Sequence, residues 1–177
     1  MADQSYLPKV YKKDGGDTLV VASGGAIVVE AGGVMSGAKV GAGPASGTAV
    51  VLTAAQTGSI CLFDSATAAL LYTLPAPVIG LAFTFIWTVS VTSGTSKIIT
   101  DAAGTFLMGP AYLGVAAGTG TTFYGNGTSH ISFNANGTTT GGLLGGIAYF
   151  YCVNGTQWEV DASVEGSGTI ATPFANT

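Results

Sequence analysis

Apolar and polar residues alternate along much of this chain, and the alternation predicts β-strands. The clearest case is the uncharged run at 78–91, VIGLAFTFIWTVSV, where every second side chain from Leu81 to Val91 is large and apolar. A period of two places these side chains on one face of a strand. The run is also shorter than the roughly 20 apolar residues that a membrane-spanning helix needs. We therefore predict the central strand of the main core, with Phe83, Phe85 and Trp87 in core or subunit contacts.

A second pattern occupies residues 15–43, where paired glycines separate short apolar runs. The runs are LVV at 19–21 and IVV at 27–29, and Gly-Gly pairs lie at 15–16, 24–25 and 32–33. Paired glycines allow tight chain reversals, and β-branched runs favour strands. Units this small gain a core only by stacking on neighbours. We predict a glycine-rich β-ladder and linker at 15–47, whose core or trimer contacts are Val20, Val21, Val28 and Val29.

The first 14 residues, MADQSYLPKVYKKD, form a candidate docking arm. Three of the chain's five lysines lie here, interleaved with aromatic and aliphatic residues. One interpretation is a frayed terminus. In the other, the aromatic residues anchor the arm and the lysines meet an acidic partner surface. The residues predicted to make this contact are Tyr6, Leu7, Lys9, Tyr11, Lys12 and Lys13.

From residue 48 onward the pattern changes to many short strands with turn residues between them. No segment shows a sustained apolar pattern at helical spacing, and this combination indicates an all-β fold. We predict an antiparallel β-sandwich or barrel domain at 48–177. Besides the central strand, the predicted strands are 49–53, 59–64, 69–74, 97–100, 105–108, 111–115, 121–124, 129–134, 146–153, 156–162 and 169–172.

Three Asn-Gly pairs, at 126–127, 136–137 and 154–155, predict turns. The last lies between two strand patterns and predicts a two-residue type I′ hairpin turn. That turn would place Tyr151 opposite Trp158, and we assign both to the core or to trimer contacts. Each pair is followed by threonine and also matches the N-glycosylation sequon, although turn chemistry explains the residues equally well.

The charge content is low and excludes several classes of function. Only 8% of the residues are charged, there is no arginine, and the net charge is −4. Ordinary soluble proteins carry about 25% charged residues, so this is either a neutral β-protein or one whose surface is buried in an assembly. Nucleic-acid binding needs a basic patch larger than the three lysines of the arm, so we expect no nucleic-acid partner. Cys61 and Cys152 lie in apolar runs, where two buried free thiols are the expected state and one bridge is the alternative.

Catalytic and metal-binding patterns are sparse. His130 is the single histidine, and a nucleophilic site could combine it with Ser129 or Ser132, but its flanking pattern is that of an ordinary strand. No local spacing gathers metal ligands. We expect no enzyme activity, no cofactor, no metal and no small-molecule substrate. The N-terminus lacks the apolar core of a signal peptide, so we expect synthesis in the cytoplasm without membrane association.

The chain resembles head decoration, cement or head-fibre proteins of tailed bacteriophages. The arm sequence YLPKVYKK at 6–13, running into GGDTLVVASGGAIVVEAGG, carries the first part of the resemblance. The rest lies in LPAPVIGL at 74–81, IITDAAG at 98–104, ISFNANG at 131–137 and GTQWEV at 155–160. The GGLLGG segment at 141–146 departs from this pattern by being more apolar than an exposed loop, and an intersubunit contact would explain it.

The resemblance implies a structural virion protein that binds the capsid exterior. It would be a homotrimer that fastens neighbouring copies of the major capsid protein, with the arm as the shell contact. An alternative is a receptor-binding or adhesive fibre tip that recognises a host glycan. That alternative predicts exposed aromatic rings over a polar groove near Tyr112, Tyr124 and His130.

Overall fold

The computed structural model describes the backbone at 10–12, 19–21 and 40–41 and the whole of residues 49–115 and 118–177. These described residues form fourteen β-strands and one short 3-10 turn, Ala54–Gln56. The predicted all-β class is thus confirmed. The chain divides into two compact units, Met1–Gly37 and Ala38–Thr177.

In the first unit, two short strands form an antiparallel pair. Strand β1 is Val10–Lys12 and strand β2 is Leu19–Val21, with Tyr11 opposite Val20. The arm and the first apolar run of the glycine ladder therefore belong to one pair of strands. The other predicted contact residues of this unit lie outside the described residues: Tyr6, Leu7, Lys9, Lys13, Val28 and Val29.

The second unit contains two sheets packed as a sandwich, as predicted. A seven-stranded sheet has the order β10-β9-β13-β12-β7-β5-β3, and a five-stranded sheet has the order β14-β11-β8-β6-β4. The strands are β3 (Val40–Gly41), β4 (Ala49–Val51), β5 (Ser59–Phe63), β6 (Leu71–Thr73), β7 (Ala82–Trp87), β8 (Ser96–Ile99), β9 (Phe106–Val115), β10 (Thr121–Asn126), β11 (Ser132–Ala135), β12 (Ile147–Cys152), β13 (Gln157–Gly166) and β14 (Phe174–Ala175).

The sheets are mixed, whereas the sequence pattern suggested antiparallel pairing. From β3 to β9 successive strands alternate between the two sheets, so strands next to each other within a sheet run in the same direction. Thus β3, β5 and β7 are parallel neighbours in one sheet, and β4, β6 and β8 are parallel neighbours in the other. Parallel neighbours need a crossover connection. Here a strand of the opposite sheet takes the place of the usual helix.

The core fills the gap between the sheets with aromatic rings. The alternation predicted for the central strand is confirmed, because Phe83, Phe85 and Trp87 on β7 are buried while the residues between them are half-buried. Trp158 is fully buried as well. Phe63 and Trp87 of the seven-stranded sheet stack with centroids 4.7 Å apart, and rings of the two sheets meet in the edge-to-face pair Phe133–Phe150 at 6.1 Å.

The predicted register of the β12–β13 hairpin is wrong by one residue. Cys152 pairs with Trp158, and Tyr151 pairs with Glu159 rather than with Trp158. A type I′ turn needs positive φ at both central residues, and neither Asn154 nor Gly155 has one. Instead the Asn154 side chain accepts the Thr156 N–H at 2.8 Å, which lengthens the loop. As a result Trp158 faces the core, whereas Tyr151 is 45% exposed and lies outside it.

The other two Asn-Gly pairs form loops with one shared hydrogen-bond scheme. The Asn126 side-chain oxygen accepts the N–H groups of residues 128, 129 and 130, and Asn136 does the same for residues 138, 139 and 140. In each loop the amide NH2 group donates to the hydroxyl three residues later, on Ser129 or Thr139. The turn prediction holds at both sites, and each amide group is engaged within its own loop.

Two strand predictions need correction. The predicted strands 105–108 and 111–115 are one strand, β9, which runs through Gly109 and Pro110. Gly109 has φ +100, and Pro110 has no N–H to donate, so the β9–β13 pairing skips from Met108 to Ala111. The last strand is not 169–172 but β14, because Phe174 is buried and packs edge-to-face on Phe133.

Gly137 and Gly155, which both lie in Asn-Gly-Thr sequences, give a direct test of the loop geometry. Gly137 has φ +76, and a methyl group there would overlap the carbonyl oxygen of Val91. Gly137→Ala should lower the free energy of unfolding by about 3 kcal/mol. Gly155 has open space and no positive φ, so Gly155→Ala should change stability by no more than about 1 kcal/mol. Urea unfolding measures both, and equal losses would contradict the loop geometry.

Candidate functional site

The outer face of the seven-stranded sheet carries three carboxylates and four tyrosines of the second unit. Strands β12 and β13 alternate strictly between buried and accessible residues. The accessible side of β13 carries the carboxylates Glu159, Asp161 and Glu165, and the accessible side of β12 carries Tyr149 and Tyr151. Sequence reasoning did not identify this face. The sequence feature that could have identified it is the alternation of acidic residues with the apolar residues Trp158, Val160, Ala162 and Val164.

Two further tyrosines extend the same face over β9 and β10. Tyr112 is 48% exposed and Tyr124 is 67% exposed. Tyr112 lies opposite Thr122, and Tyr124 lies opposite Pro110, so the two rings are diagonal neighbours on one side of the pair. This side is also the accessible side of β13, because Ser163 pairs with Tyr112. We call the resulting surface the tyrosine–carboxylate face: Tyr112, Tyr124, Tyr149, Tyr151, Glu159, Asp161 and Glu165.

Strand register brings the rings and the acids together. Tyr149 is directly opposite Asp161, and Tyr151 is directly opposite Glu159. Directly opposed residues have Cβ atoms about 4.5–5.5 Å apart. On the far side of β13, a methyl group added at Gly114 would lie 3.1 Å from the Glu165 side chain and 3.6 Å from the Tyr112 ring. The carboxylates therefore form a ridge with tyrosines on both sides.

Gly109 on β9 and Gly120, which directly precedes β10, let these side chains lie close to the sheet. A side chain at Gly109 would overlap the Glu159 carboxylate, and one at Gly120 would overlap the Tyr112 phenol. The Glu159 carboxylate thus lies toward β9, on the side of β13 away from Tyr151. Tyr149 and Tyr151 stack on each other, with ring centroids 6.4 Å apart and planes 15° apart.

Charge is distributed unevenly over the second unit. Residues 49–177 contain five acidic residues and one lysine. Three of the acids lie on the tyrosine–carboxylate face, and the lysine, Lys97, lies on β8 of the other sheet. The described part of the face is therefore negative without a compensating cation.

An apolar surface that shares Tyr151 with this face lies at one end of the sandwich. Val78 is 58% exposed, Ile79 74%, Tyr151 45% and Val153 43%. Backbone hydrogen bonds join the two segments that carry them, from Gly80 N–H to the Cys152 carbonyl and from Cys152 N–H to the Leu81 carbonyl. We call these four residues the apolar end surface. The sequence pattern had assigned 78 and 79 to the central strand, which begins only at Ala82.

The GGLLGG segment is at the other end of β7. Leu144 is 66% exposed and its N–H donates to the Ser90 hydroxyl at 2.9 Å. The Gly145 N–H donates to the Trp87 carbonyl. An intersubunit role for this segment stays a prediction.

His130 is engaged in structural contacts. Its ring stacks on Phe174 with centroids 5.7 Å apart, and its Nδ1 accepts the Asn126 N–H at 3.1 Å. The two candidate nucleophiles have other partners, since Ser132 is buried and donates to the Thr177 carbonyl and Ser129 accepts from the Asn126 amide. The predicted groove residues Tyr112 and Tyr124 share a face, whereas His130 belongs to the loop that follows β10.

Both cysteines are buried free thiols, as the sequence predicted. Burial raises the pKa of the Cys61 thiol to about 12. Burial also raises the pKa of the Cys152 thiol, whose S–H donates to the Asn154 carbonyl at 3.1 Å. A protonated thiol is a poor nucleophile, so neither group is prepared for thiolate chemistry at neutral pH.

The described residues offer few features of other kinds of site. Within the described residues, no three His, Cys, Asp or Glu side chains group in a way that could hold a metal ion. Nor does that part of the chain contain a helix long and apolar enough to cross a membrane. Of the predicted contact residues, Phe83, Phe85, Trp87 and Trp158 lie in the core, and Tyr151 lies on both surfaces defined above. No family model, curated protein or solved structure matches this chain.

The buried thiol predicts how stability depends on alkaline pH. The folded protein holds the Cys61 proton more tightly than the unfolded chain, because the pKa rises from 9.0 to about 12 on folding. The contribution of this thiol to the free energy of unfolding should therefore be fully present below pH 9 and should be lost as the pH rises toward the folded-state pKa. Cys61→Ala should flatten this decline, which urea unfolding from pH 8 to 11 would measure. An unchanged slope in Cys61→Ala would contradict the assignment.

Proposed function

We propose that this protein is a structural virion protein that binds the exterior of a phage capsid as a homotrimer and cements the shell. The observation that carries the proposal is the apolar end surface. Exposed apolar clusters of this kind mark protein interaction sites. This surface lies at one end of a β-sandwich.

Low charge explains why the end surface suits contact between copies. A three-fold ring closes through heterologous contacts, in which one patch of each copy meets a different patch of the next copy, and an uncharged apolar patch can serve there without burying an unpaired charge. The segments 78–81 and 151–153 that form this end contain no Asp, Glu, Lys or Arg, and the carboxylate of Glu159, opposite Tyr151, lies toward β9. The tyrosine–carboxylate face carries three acids and is a poor candidate for self-contact.

The cementing action needs no chemistry beyond binding. A ligand that binds only the assembled lattice adds its binding free energy to that state. We assign shell contact to the arm residues Tyr6, Leu7, Lys9, Tyr11, Lys12 and Lys13, where lysines and aromatic residues alternate. The virion exterior is then the place of action, and the major capsid protein is the partner.

Glycan recognition at a fibre tip is a second candidate. The exposure of Tyr112 and Tyr124 favours it, because aromatic rings can stack on sugars. A glycan array with the purified protein separates the two functions. Reproducible hits together with no binding to capsids would favour the fibre tip.

Matched substitutions of exposed aliphatic residues test the trimer. Ile79 at the apolar end surface is 74% exposed, and Val51 on β4 is 68% exposed. Ile79→Asp should convert a species of three times 17.5 kDa into monomer, because it places an unpaired charge in the apolar contact. Val51→Asp should leave the mass unchanged in light scattering. A monomeric unmodified protein, or equal effects of both variants, would contradict the trimer contact.

Deleting residues 1–14 tests the shell contact. Co-sedimentation with capsids of the same phage should be lost, while circular dichroism and the urea midpoint of the sandwich should stay unchanged. A second variant, with Lys9, Lys12 and Lys13 changed to glutamine, tests the charge of the arm. It should bind more weakly than the unmodified protein, and its binding should lose the salt dependence. Undiminished binding after the deletion would place the shell contact elsewhere on the protein.

A further inference from the structure

We propose that the tyrosine–carboxylate face is a docking surface for an extended, lysine- or arginine-bearing segment of a partner polypeptide. The proposal rests on the proposed function only in naming the shell subunit as the source of that segment. The geometry that carries it is the ridge formed by Glu159, Asp161 and Glu165 with tyrosines on both sides.

Charge selects the kind of partner. The ridge places three carboxylates on one side of β13, and the described part of the face supplies no cation. A second copy of this face, a nucleic acid or an acidic glycan would be repelled. Complementary charge across an interface steers association and fixes register, so the matching partner is basic.

The spacing of the acids selects an extended conformation. Side chains on one face of a strand repeat every second residue, about 6.8 Å apart. Residues 159, 161 and 165 occupy such positions, with Ser163 in the place between. A partner strand or extended loop with basic residues at alternate positions can follow the ridge and meet each carboxylate in turn.

The tyrosines fit basic side chains better than sugars. Lysine and arginine stems pack along aromatic rings while their charged ends reach a carboxylate. Tyr149 and Tyr151 have nearly parallel rings with centroids 6.4 Å apart, and each lies directly opposite a carboxylate on β13. A basic side chain can therefore contact a ring and pair with an acid at the same place.

A peptide titration tests the face without capsids. The full chain, labelled with 15N, is titrated with a short peptide of alternating lysine and serine, and backbone amide shifts are followed by NMR. The shifts should concentrate on β13, β12 and β9. They should disappear near 1 M salt, where the screening length is about 3 Å. A peptide of alternating glutamine and serine, and the neutral oligosaccharide maltohexaose, are the comparison ligands and should give no shifts.

Two charge-matched double variants separate the face from the overall charge. Asp161→Asn with Glu165→Gln removes two exposed carboxylates from the ridge and should weaken peptide binding about fivefold. Asp64→Asn with Asp101→Asn removes the same charge from elsewhere and should leave the affinity unchanged. Both sets keep the side-chain size, and no described hydrogen bond depends on Asp161 or Glu165.

Several results would overturn the proposal. Equal weakening by both double variants would mean attraction by net charge alone. Maltohexaose shifts at the tyrosines would assign the face to a glycan. A concentration-dependent mass that falls in the ridge variant would make a second copy, through its own lysines, the occupant. Light scattering of Ile79→Asp and co-sedimentation do not use the peptide, so failure here and failure of the proposed function are separate results.

Discussion

The aromatic layer between the two sheets is the constraint on which the second unit depends. Phe63, Phe85 and Trp87 come from the seven-stranded sheet, and Tyr72 reaches them from the other sheet, with Tyr72–Phe85 centroids 5.3 Å apart. Because β3 to β9 alternate between the sheets, each connection leads from one sheet to the other, and the aromatic layer packs between them. Among the described residues, the buried indole N–H groups of Trp87 and Trp158 have no hydrogen-bond partner. An unpaired buried donor costs about 1–3 kcal/mol, so ring packing outweighs polar satisfaction here.

The strand alternation that fills the core also determines the functional surface. Because β13 turns Trp158, Val160 and Ala162 inward, it must turn the residues between them outward. The carboxylate ridge is thus the reverse side of the core pattern on β13, and its position is as rigid as the sheet. A preorganised surface of this kind loses little conformational entropy when a partner binds.

Local side-chain hydrogen bonds hold the loops of this weakly charged protein. The Asn126 and Asn136 side chains each accept three backbone N–H groups, and the Asp101 carboxylate accepts the Thr105 hydroxyl at 3.0 Å. Such contacts are insensitive to salt, unlike surface ion pairs. Of the five carboxylates in residues 49–177, three lie on one face of β13.

The sequence by itself determined the all-β class, most strand positions, the buried face of β7, the buried thiols and the turns at Asn126 and Asn136, because period-two patterning and Asn-Gly chemistry act locally. Tertiary structure alone decided the alternation of strands between sheets and hence the parallel pairs, since neighbours such as Ile60 and Thr84 are far apart along the chain. It also decided the β12–β13 register, where burial of Trp158 left Tyr151 at the surface. The tyrosine–carboxylate face depends on both, because the outward positions are local while their assembly from four strands is not.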